Sequence, residues 1–514
     1  MFGKTISYAI QGIDATKIVV EADVKGGLFK FSIVGLPSNS VKESRDRVSS
    51  AIKNSGYNFK SYNYTVNLAP ADIKKDGVAL DLPTALALLK GTNQIKSEKL
   101  EDYAFIGELS LDGYLRPVKG VLSIAVAAWK DGMKGLILPE KNAQEAAVID
   151  ELNVFPVKTL GQAIAFLEGR EEIAPMKVDK DLLFSRLNNS PVDLFDVKGQ
   201  FHVKRALEVA CAGGHNILMI GPPGSGKTMM ARRISTILPD LTLEEALETT
   251  KIHSVAGYTS LRSGGLVLDR PFRSPHHTIS DVALIGGGSY PKPGEVSLSH
   301  NGVLFLDELP EFKKSVLEVL RQPLEDEVVT ISRASQSLEF PAKFMLVASM
   351  NPCPCGYYGS EIEGHSCSCS MMSIKRYRSR ISGPLLDRID IHVEVPSVKY
   401  EELSSLPTGE KSADIRIRVN KARQIQLDRF KGLEIFSNSQ MNPKQIRKYC
   451  ILDDDSKTLL KLAMEKKGLS ARAYERILKV ARTIADLDNS ENIKTNHISE
   501  AVQYRNLDKK FWED

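Results

Sequence analysis

The clearest chemical motif in the sequence is a glycine-rich loop that ends in a lysine and a threonine. It follows the pattern G-x-x-x-x-G-K-S/T, and its residues are Gly221, Pro222, Pro223, Gly224, Ser225, Gly226, Lys227 and Thr228. An apolar run precedes the loop and a helical pattern follows it. Glycines let successive backbone N–H groups point inward at phosphates, and a helix N-terminus adds its positive end. We therefore predict a nucleotide site in which Lys227 neutralises the β- and γ-phosphates and Thr228 offers its hydroxyl to Mg²⁺.

Two adjacent carboxylates form the second half of the predicted site. Asp307 and Glu308 follow the apolar run 303–306, which is typical of a buried strand. In open α/β sheets, ligands lie at the carboxyl ends of the strands. We expect Asp307 to hold the Mg²⁺ shell and Glu308 to polarise the attacking water as a general base. A carboxylate beside the metal ligand suits water activation, so the pair predicts an ATPase rather than a kinase.

The composition is that of an ordinary globular protein. The chain has 514 residues, of which 42% are hydrophobic and 26% charged, and at about 150 residues per domain this length predicts about three domains. The net charge is +4, from 68 basic and 64 acidic residues, which is too balanced to point to nucleic acid by itself. No apolar run approaches the ~18 residues of a membrane span, and the first residues lack the apolar core of a secretory signal. We expect a cytoplasmic protein.

The pattern along the chain predicts three blocks and a linker. Residues 1–170 mix β-type alternation with helical spacing, which favours an α/β or α+β domain, and the polar stretch 171–193 reads as a linker. Residues 194–396 alternate strands and helices, as a parallel nucleotide-binding sheet does. Residues 397–514 have helical spacing, and the tract 404–414 within them is predicted to be a mobile loop.

Individual elements follow from the same periodicity. Strands are predicted over 17–24, 29–34, 62–68, 216–220 and 344–351. Helices are predicted over 40–55, 82–89, 121–131, 143–152, 229–238, 416–430, 456–467, 471–487 and 496–505.

Further motifs resemble those of AAA+ ATPases. Val197 and Gln200, before the phosphate loop, resemble the adenine-contact segment of that superfamily. The strand that ends at Asn351 resembles the one that carries a sensor asparagine, which orients the lytic water. The segment around Arg388 resembles the one with an arginine finger, and Arg472 matches the second sensor, which reaches the γ-phosphate from the helical lid.

The resemblance narrows to one family within that superfamily. Segments such as RPFRSPHH at 270–277, GGGS at 286–289 and NPCPCG at 351–356 resemble the magnesium-chelatase-like ComM/YifB family, and the likeness spans essentially the whole chain. It implies a Lon-protease-like (S5-like) N-terminal domain, an AAA+ P-loop core with a helix-2 insertion, and a C-terminal helical lid. It also implies a bacterial, Mg²⁺-dependent ATPase. Such an ATPase forms a homo-oligomeric ring, a hexamer, and performs helicase or branch-migration work on single-stranded or branched DNA during natural transformation.

Two arginine assignments carry alternatives. An arginine on the far edge of a module cannot stabilise charge in its own site, so Arg388 is expected to act on a neighbouring subunit; the alternative is a surface salt bridge. Arg476 lies one turn after Arg472 and is a second candidate for the same sensor. The long, glycine-rich stretch 252–295 reads as inserted elements that could face a central pore.

The N-terminal block departs from Lon-type proteases at the two positions that cleave peptides. The expected serine position holds Ala79 and the expected lysine position holds Ile124, and neither side chain can attack a carbonyl or accept a proton. We predict a scaffold or binding domain without protease activity. Lys119 and Ser123 lie close by, so a shifted alignment is the alternative.

Four of the six cysteines are clustered. Cys353 with Cys355, and Cys367 with Cys369, form two C-x-C pairs that could close a tetrahedral zinc site, with His365 as a possible replacement for one thiolate. The alternative is four reduced thiols in a loop rich in glycine and serine.

Other signals have less specific explanations. The pair His276-His277 has no carboxylate or further histidine at the spacing of metal ligands. We therefore interpret the two residues as ordinary loop histidines. The basic run 375–380, with Tyr357 and Tyr358 upstream, could follow a phosphate backbone or form a solvated or inter-subunit face.

Two rival functions stay open. One is a chelatase motor subunit that drives Mg²⁺ into a porphyrin, against which the N-terminal block argues. The other is an ATP-dependent protease or chaperone, and the missing Ser–Lys dyad argues against its protease half.

Overall fold

The structure is a computed structural model, and it describes residues 1–73, 75, 78–180, 192–258, 265–288, 291–333, 336–359, 366–397 and 409–505. The chain divides into two compact units, Met1–Leu187 with Leu243–Leu268, and Asn188–Thr242 with Asp269–Asp514. Several predicted features lie outside the described residues: His365, Ser289, residues 181–191 of the predicted linker and residues 404–408 of the predicted loop.

The first unit is built on a mixed seven-stranded sheet in the order β3-β4-β2-β1-β5-β8-β9. Its strands are β1 Phe2–Gln11, β2 Asp14–Lys25, β3 Lys30–Val34, β4 Asn63–Ala69, β5 Tyr103–Phe105, β8 Gly135–Pro139 and β9 Asn153–Val157, and a short ribbon pairs β6 Glu108–Leu109 with β7 Leu115–Arg116. The β1–β2 hairpin is antiparallel, whereas β1 runs parallel to β5. Predicted strands 17–24, 29–34 and 62–68 are confirmed as β2, β3 and β4.

Helices cover both faces of this sheet. They are Asn39–Asn54, Asp81–Gly91, Val121–Lys130, Ala143–Ala146, Leu160–Leu167 and Leu243–Ala256. One apolar cluster holds the first two helices and Leu160–Leu167, and a second holds the others. Helix Asp81–Gly91 lies so close to β1 that a Cβ on Gly3 would stand 2.0 Å from the Ala87 carbonyl oxygen. A glycine is therefore required at that point of β1.

The helix Leu243–Ala256 belongs to the first unit although its residues lie within the predicted ATPase block. The Glu145 carboxylate accepts hydrogen bonds from the Leu122 N–H, at 3.0 Å, and from the Ser254 hydroxyl. The Gly120 N–H donates to the Ser254 carbonyl at 3.3 Å, and Leu247 packs against the second apolar cluster. Burial raises the pKa of Glu145, although the bonds from Ser254 and Leu122 oppose this rise.

The second unit contains a parallel five-stranded sheet in the order β11-β14-β17-β10-β18. The strands are β10 Ile217–Ile220, β11 Phe272–Arg273, β14 Gly302–Leu306, β17 Phe344–Met350 and β18 Ile391–Glu394. Strands β10 and β14 are buried along their whole length, as expected for a sheet covered on both faces. Strand β10 comes first along the chain among the strands of this sheet, and it lies between β17 and β18, which come last. Strand β10 therefore ends at a topological switch point, where α/β sheets bind ligands.

The second unit also contains two separate two-stranded hairpins. One pairs β12 Gly286–Gly287 with β13 Lys292–Pro293, and the other pairs β15 Val328–Arg333 with β16 Gln336–Pro341.

Helices of the second unit surround the sheet and continue to residue 503. They are Phe201–Gly213, Lys227–Arg233, Asp281–Ile285, Glu295–Leu298, Lys314–Glu318, Pro323–Asp326, Met371–Arg378, Gly383–Leu386, Ser412–Arg429, Pro443–Tyr449, Asp454–Lys467, Ala471–Leu487 and Thr495–Gln503. The apolar faces of the C-terminal helices join the same core cluster as the sheet. Among the residues described, no helix has both the length and the apolar character of a transmembrane span.

Candidate active site

The phosphate loop lies at the carboxyl end of β10, between β17 and β18. The Gly221 N–H donates to the Met350 carbonyl at 3.2 Å, which fixes the start of the loop to the end of β17. A Cβ at Gly221 would lie 2.1 Å from the Val395 carbonyl oxygen, so only glycine fits there. Gly224 and Gly226 have φ values of +75° and +87°, a region that favours glycine. The loop geometry therefore depends on the three motif glycines.

Lys227 is buried within the loop. Its Nζ donates to the Gly221 carbonyl at 2.7 Å, the Pro222 carbonyl at 2.8 Å and the Asn351 side-chain oxygen at 3.2 Å. Burial lowers the pKa of Lys227 to about 8, and the negative charges of Asp307 and Glu308 offset part of that effect. The ammonium is thus held by neutral oxygens, which a phosphate could replace with charged ones.

Asp307 follows β14 directly and receives two hydroxyl groups. The Thr228 hydroxyl donates to Asp307 Oδ2 at 2.7 Å, and the Ser349 hydroxyl donates to Oδ1. Carboxylate and hydroxyl oxygens side by side are the hard ligands that Mg²⁺ prefers. Ser349 was not among the predicted site residues, although its place two residues before Asn351, near the end of β17, is a signal that could have identified it.

Glu308 differs from Asp307 in exposure and backbone. Its φ is +53°, and its side chain is 56% exposed. Its Oε2 lies 3.8 Å from His277 Nδ1. His277 was predicted to be an ordinary loop histidine. It does lie in a loop, but next to Glu308, the proposed general base.

Gln200, in the segment before the phosphate loop, is hydrogen-bonded to the loop. Its side-chain amide donates to the Ser225 carbonyl and to the Pro396 carbonyl, each at 2.9 Å. Val197, the other predicted adenine contact, is buried, and Lys204 donates to its carbonyl. Both residues therefore lie on the segment that packs against the loop.

Arg388 lies at the opposite edge of the sheet from the phosphate loop of its own chain. It precedes β18, where Asp390 N–H bonds the Asn216 carbonyl at 3.0 Å at the start of β10. At about 3.3 Å per residue, the length of β10 separates this edge from Gly221 by about 13 Å. Arg388 donates to the Pro384 carbonyl at 2.6 Å and pairs with Glu325.

Arg472 lies beside the same edge. Its Nη1 is 3.6 Å from Asp387 Oδ2, and its side chain is 66% exposed. Arg476, the alternative sensor, instead pairs with buried Asp390, which also contacts His215 Nδ1 at 3.2 Å. Burial would raise the pKa of Asp390, but Arg476 and His215 outweigh it and lower that pKa well below its ordinary range. Arg476 thus forms an ion pair with the buried Asp390, whereas most of the Arg472 side chain is exposed to solvent.

The four clustered cysteines come together after Asn351. Their sulfur atoms all lie within 4.8 Å of one another. Cys353 is buried, and the other three are partly exposed.

The basic run 375–380 is not a continuous surface patch. Tyr377 and Arg378 are buried, and Arg378 donates to the Pro352 carbonyl at 3.1 Å. Arg380 pairs with Glu311 at 3.0 Å. Two residues of the run are therefore used inside the fold.

In the first unit, the positions expected for a Ser–Lys dyad hold no such pair. Ile124 is 1% exposed, and the Ala79 carbonyl accepts a hydrogen bond from the Gly107 N–H at 2.9 Å. Ser123, the candidate under a shifted alignment, is buried and donates to the Ile13 carbonyl. Lys119 is exposed.

Three protein-family models together match most of the chain. The family described as magnesium chelatase, subunit ChlI, matches residues 193–403. Subunit ChlI of Mg-chelatase matches residues 20–142, and the ChlI C-terminal family matches residues 409–505.

Individual relatives match over nearly the full length. The chain is 43% identical to competence protein ComM of Haemophilus influenzae over 505 residues, which cover 97% of this chain and 96% of that protein. It is 44% identical to YifB of Escherichia coli over 502 residues, 98% of this chain and 96% of that protein. A weaker likeness, 25% over 160 residues, links it to the Lon protease of Rhizobium meliloti and covers 29% of this chain and 20% of that protease.

Proposed function

This chain belongs to the magnesium-chelatase-like ComM/YifB family, and we propose that it is an ATP-hydrolysing AAA+ ring motor that acts on DNA. The observation that carries the ATPase half is the set of contacts in which Lys227 meets Asn351 and Thr228 meets Asp307. This set joins three separate segments of the chain at one edge of the parallel sheet.

The proposed reaction is attack of water on the γ-phosphorus of ATP. Glu308 takes a proton from the water as the new P–O bond forms, and the bond between the γ-phosphorus and the bridging oxygen breaks, so ADP leaves with the electron pair. Lys227 neutralises the phosphate oxygens and Asn351 orients the water. Thr228 and Asp307 would hold Mg²⁺, which supplies positive charge to the phosphates when bound.

Completion of the site by a neighbouring subunit is part of the proposal. Arg388 and Arg472 lie together at the edge away from their own phosphate loop, and a guanidinium must reach the transferred phosphoryl group to stabilise its charge. We propose a homo-oligomeric ring, a hexamer, in which both arginines act on the adjoining protomer.

The DNA half of the proposal is supported by the similarity to a competence protein, because competence is the capacity to take up DNA. We propose a cytoplasmic helicase or branch-migration activity on single-stranded or branched recombination intermediates.

The test is ATP turnover, gel shift and unwinding on four-way DNA junctions with the wild type and Glu308→Gln. We expect the junction to stimulate wild-type ATP hydrolysis, and the stimulation to fall steeply with salt because phosphate contacts release counterions. Glu308→Gln should still bind the junction but lose about 10²–10⁴-fold in hydrolysis, the usual contribution of a general base. Glu318→Gln, which changes a partly exposed carboxylate that pairs with Arg321 at 2.9 Å, serves as the matched control.

Other outcomes would contradict the proposal. Stimulation by unfolded protein, without stimulation by any DNA, favours a chaperone. Full hydrolysis by Glu308→Gln removes the proposed general base.

A further inference from the structure

The four clustered sulfur atoms have the spacing of a tetrahedral metal site. The Sγ–Sγ distances are 3.3 Å for Cys353–Cys355, 3.6 Å for Cys355–Cys367 and 3.8 Å for Cys353–Cys367, and Cys369 lies within 4.8 Å of the rest. Four thiolates at about 2.3 Å from a central zinc ion stand about 3.8 Å apart at the tetrahedral angle. The three distances reach up to the value that a zinc ion requires, and they are far longer than the ~2.05 Å of a disulfide.

The other cysteines of the chain provide a comparison. Cys211 and Cys450 are each buried singly in the apolar core of the second unit, where a thiol behaves as a small apolar group. Three of the clustered cysteines are instead partly exposed in irregular backbone, where apolar packing gives no reason for a cysteine. Convergence of four thiols, three of them partly exposed, points to a shared ligand.

Backbone N–H groups are directed at the sulfur atoms. The Tyr358 N–H donates to Cys353 Sγ at 3.3 Å. The N–H of Tyr357 faces Cys355, and that of Cys369 faces Cys367. Such bonds offset the negative charge that thiolates carry when they bind a metal, and outer-shell donors of this kind orient metal ligands.

We propose that Cys353, Cys355, Cys367 and Cys369 bind one structural zinc ion. Four protein ligands fill a tetrahedral zinc site and leave no open position for water, so the ion serves folding rather than catalysis.

The proposed zinc site lies against the ATP site. Cys353 follows the sensor Asn351 by two residues, and Gly356, at φ +90°, approaches Pro223 of the phosphate loop so closely that a Cβ would lie 2.5 Å from its Cδ. Arg378 secures the same segment, because its Nε bonds the Pro352 carbonyl at 3.1 Å and its guanidinium lies 5.2 Å from the Tyr358 ring centre. Zinc would thus fix the segment that positions Asn351.

The test measures bound metal, not activity. In protein purified without added zinc or chelator, we expect close to one zinc ion per chain by elemental analysis in the wild type. Mercurial modification of the thiols should release it to a colorimetric chelator. Cobalt exchanged into the site should give the visible absorption of tetrahedral cobalt thiolate.

Variants locate the ligands and separate this proposal from the proposed function. Cys353→Ser and Cys367→Ser should lose the metal, whereas the control Cys450→Ser should keep it. Glu308→Gln should also keep it while losing ATP hydrolysis. Wild-type protein without zinc and without a cobalt spectrum overturns the proposal, as does iron with inorganic sulfide, and neither result bears on the ATPase.

Discussion

At the residue scale, the protonation state of Lys227 is the property of the site that ATP binding should change most directly. Its ammonium contacts the Gly221 and Pro222 carbonyls and the Asn351 amide oxygen, and burial lowers its pKa to about 8. Negatively charged phosphates favour the charged form of a lysine. Binding of ATP should therefore raise the pKa of Lys227.

We expect ATP binding to take up protons between pH 8 and 9, where part of the Lys227 population has lost its proton in the nucleotide-free protein. Calorimetric titration with a non-hydrolysable ATP analogue, in buffers of different ionisation enthalpy, measures this uptake. Lys227→Arg is the control, because arginine does not titrate in this range. Equal proton uptake in both proteins would assign the effect to another group.

At the element scale, helix Leu243–Ala256 depends on one buried carboxylate. Glu145 accepts bonds from Leu122 and Ser254, so its removal leaves two buried donors without their partner. Unpaired buried donors cost about 1–3 kcal/mol.

We expect Glu145→Ala to lower the free energy of unfolding of the first unit by about 1–3 kcal/mol. Glu145→Gln should stay near the wild type, since an amide oxygen can still accept both bonds. Denaturant unfolding measures the difference, with exposed Glu244→Ala as the control. Equal loss in the Ala and Gln variants would mean that charge, not hydrogen bonding, matters at this position.

The absence of protease activity in the first unit is a second prediction for its elements. Ser123 is buried on helix Val121–Lys130 with its hydroxyl bonded to Ile13, and the expected nucleophile position holds Ala79. We expect no cleavage of unfolded casein, with or without ATP, in a gel assay. Cleavage that disappears in Ser123→Ala would restore the protease hypothesis.

At the scale of the whole molecule, the positions of Arg388 and Arg472 bear on whether neighbouring subunits complete each other's ATP sites. Arg388 and Arg472 lie at the edge of the sheet away from their own phosphate loop. If they act on a neighbour, two inactive variants can complement each other in a mixed ring.

We expect Arg388→Ala to lose about 10³-fold in ATP hydrolysis, as removal of an arginine finger does. Mixing it with Glu308→Gln should restore measurable turnover, because the intact Glu308 of one subunit then meets the intact Arg388 of the next. Arg472→Ala should behave alike, and wild-type turnover should fall on dilution. A mixture that stays inactive, or a monomer that hydrolyses ATP at the full rate, contradicts the ring.

Elements that depend on neighbouring residues alone could be predicted from the sequence. The phosphate loop is a run of consecutive residues, and periodicity gave helix Ala471–Leu487 with its observed bounds. Local patterns gave wrong elements where the apolar spacing of a segment did not match its secondary structure. Strand β1 was missed because its buried positions include the polar Thr5 and Ser7, and the predicted helix 143–152 ends at Ala146 because apolar spacing reports burial as well as helicity.

Contacts between side chains that lie far apart in the chain could not be predicted from the sequence. In the structure, Ser349 bonds Asp307, His277 lies beside Glu308, and Arg476 pairs with Asp390, whereas Arg472 is mostly exposed. These pairings join segments far apart in the chain. They depend on how strands and helices pack against one another, and no spacing within a single segment encodes that packing.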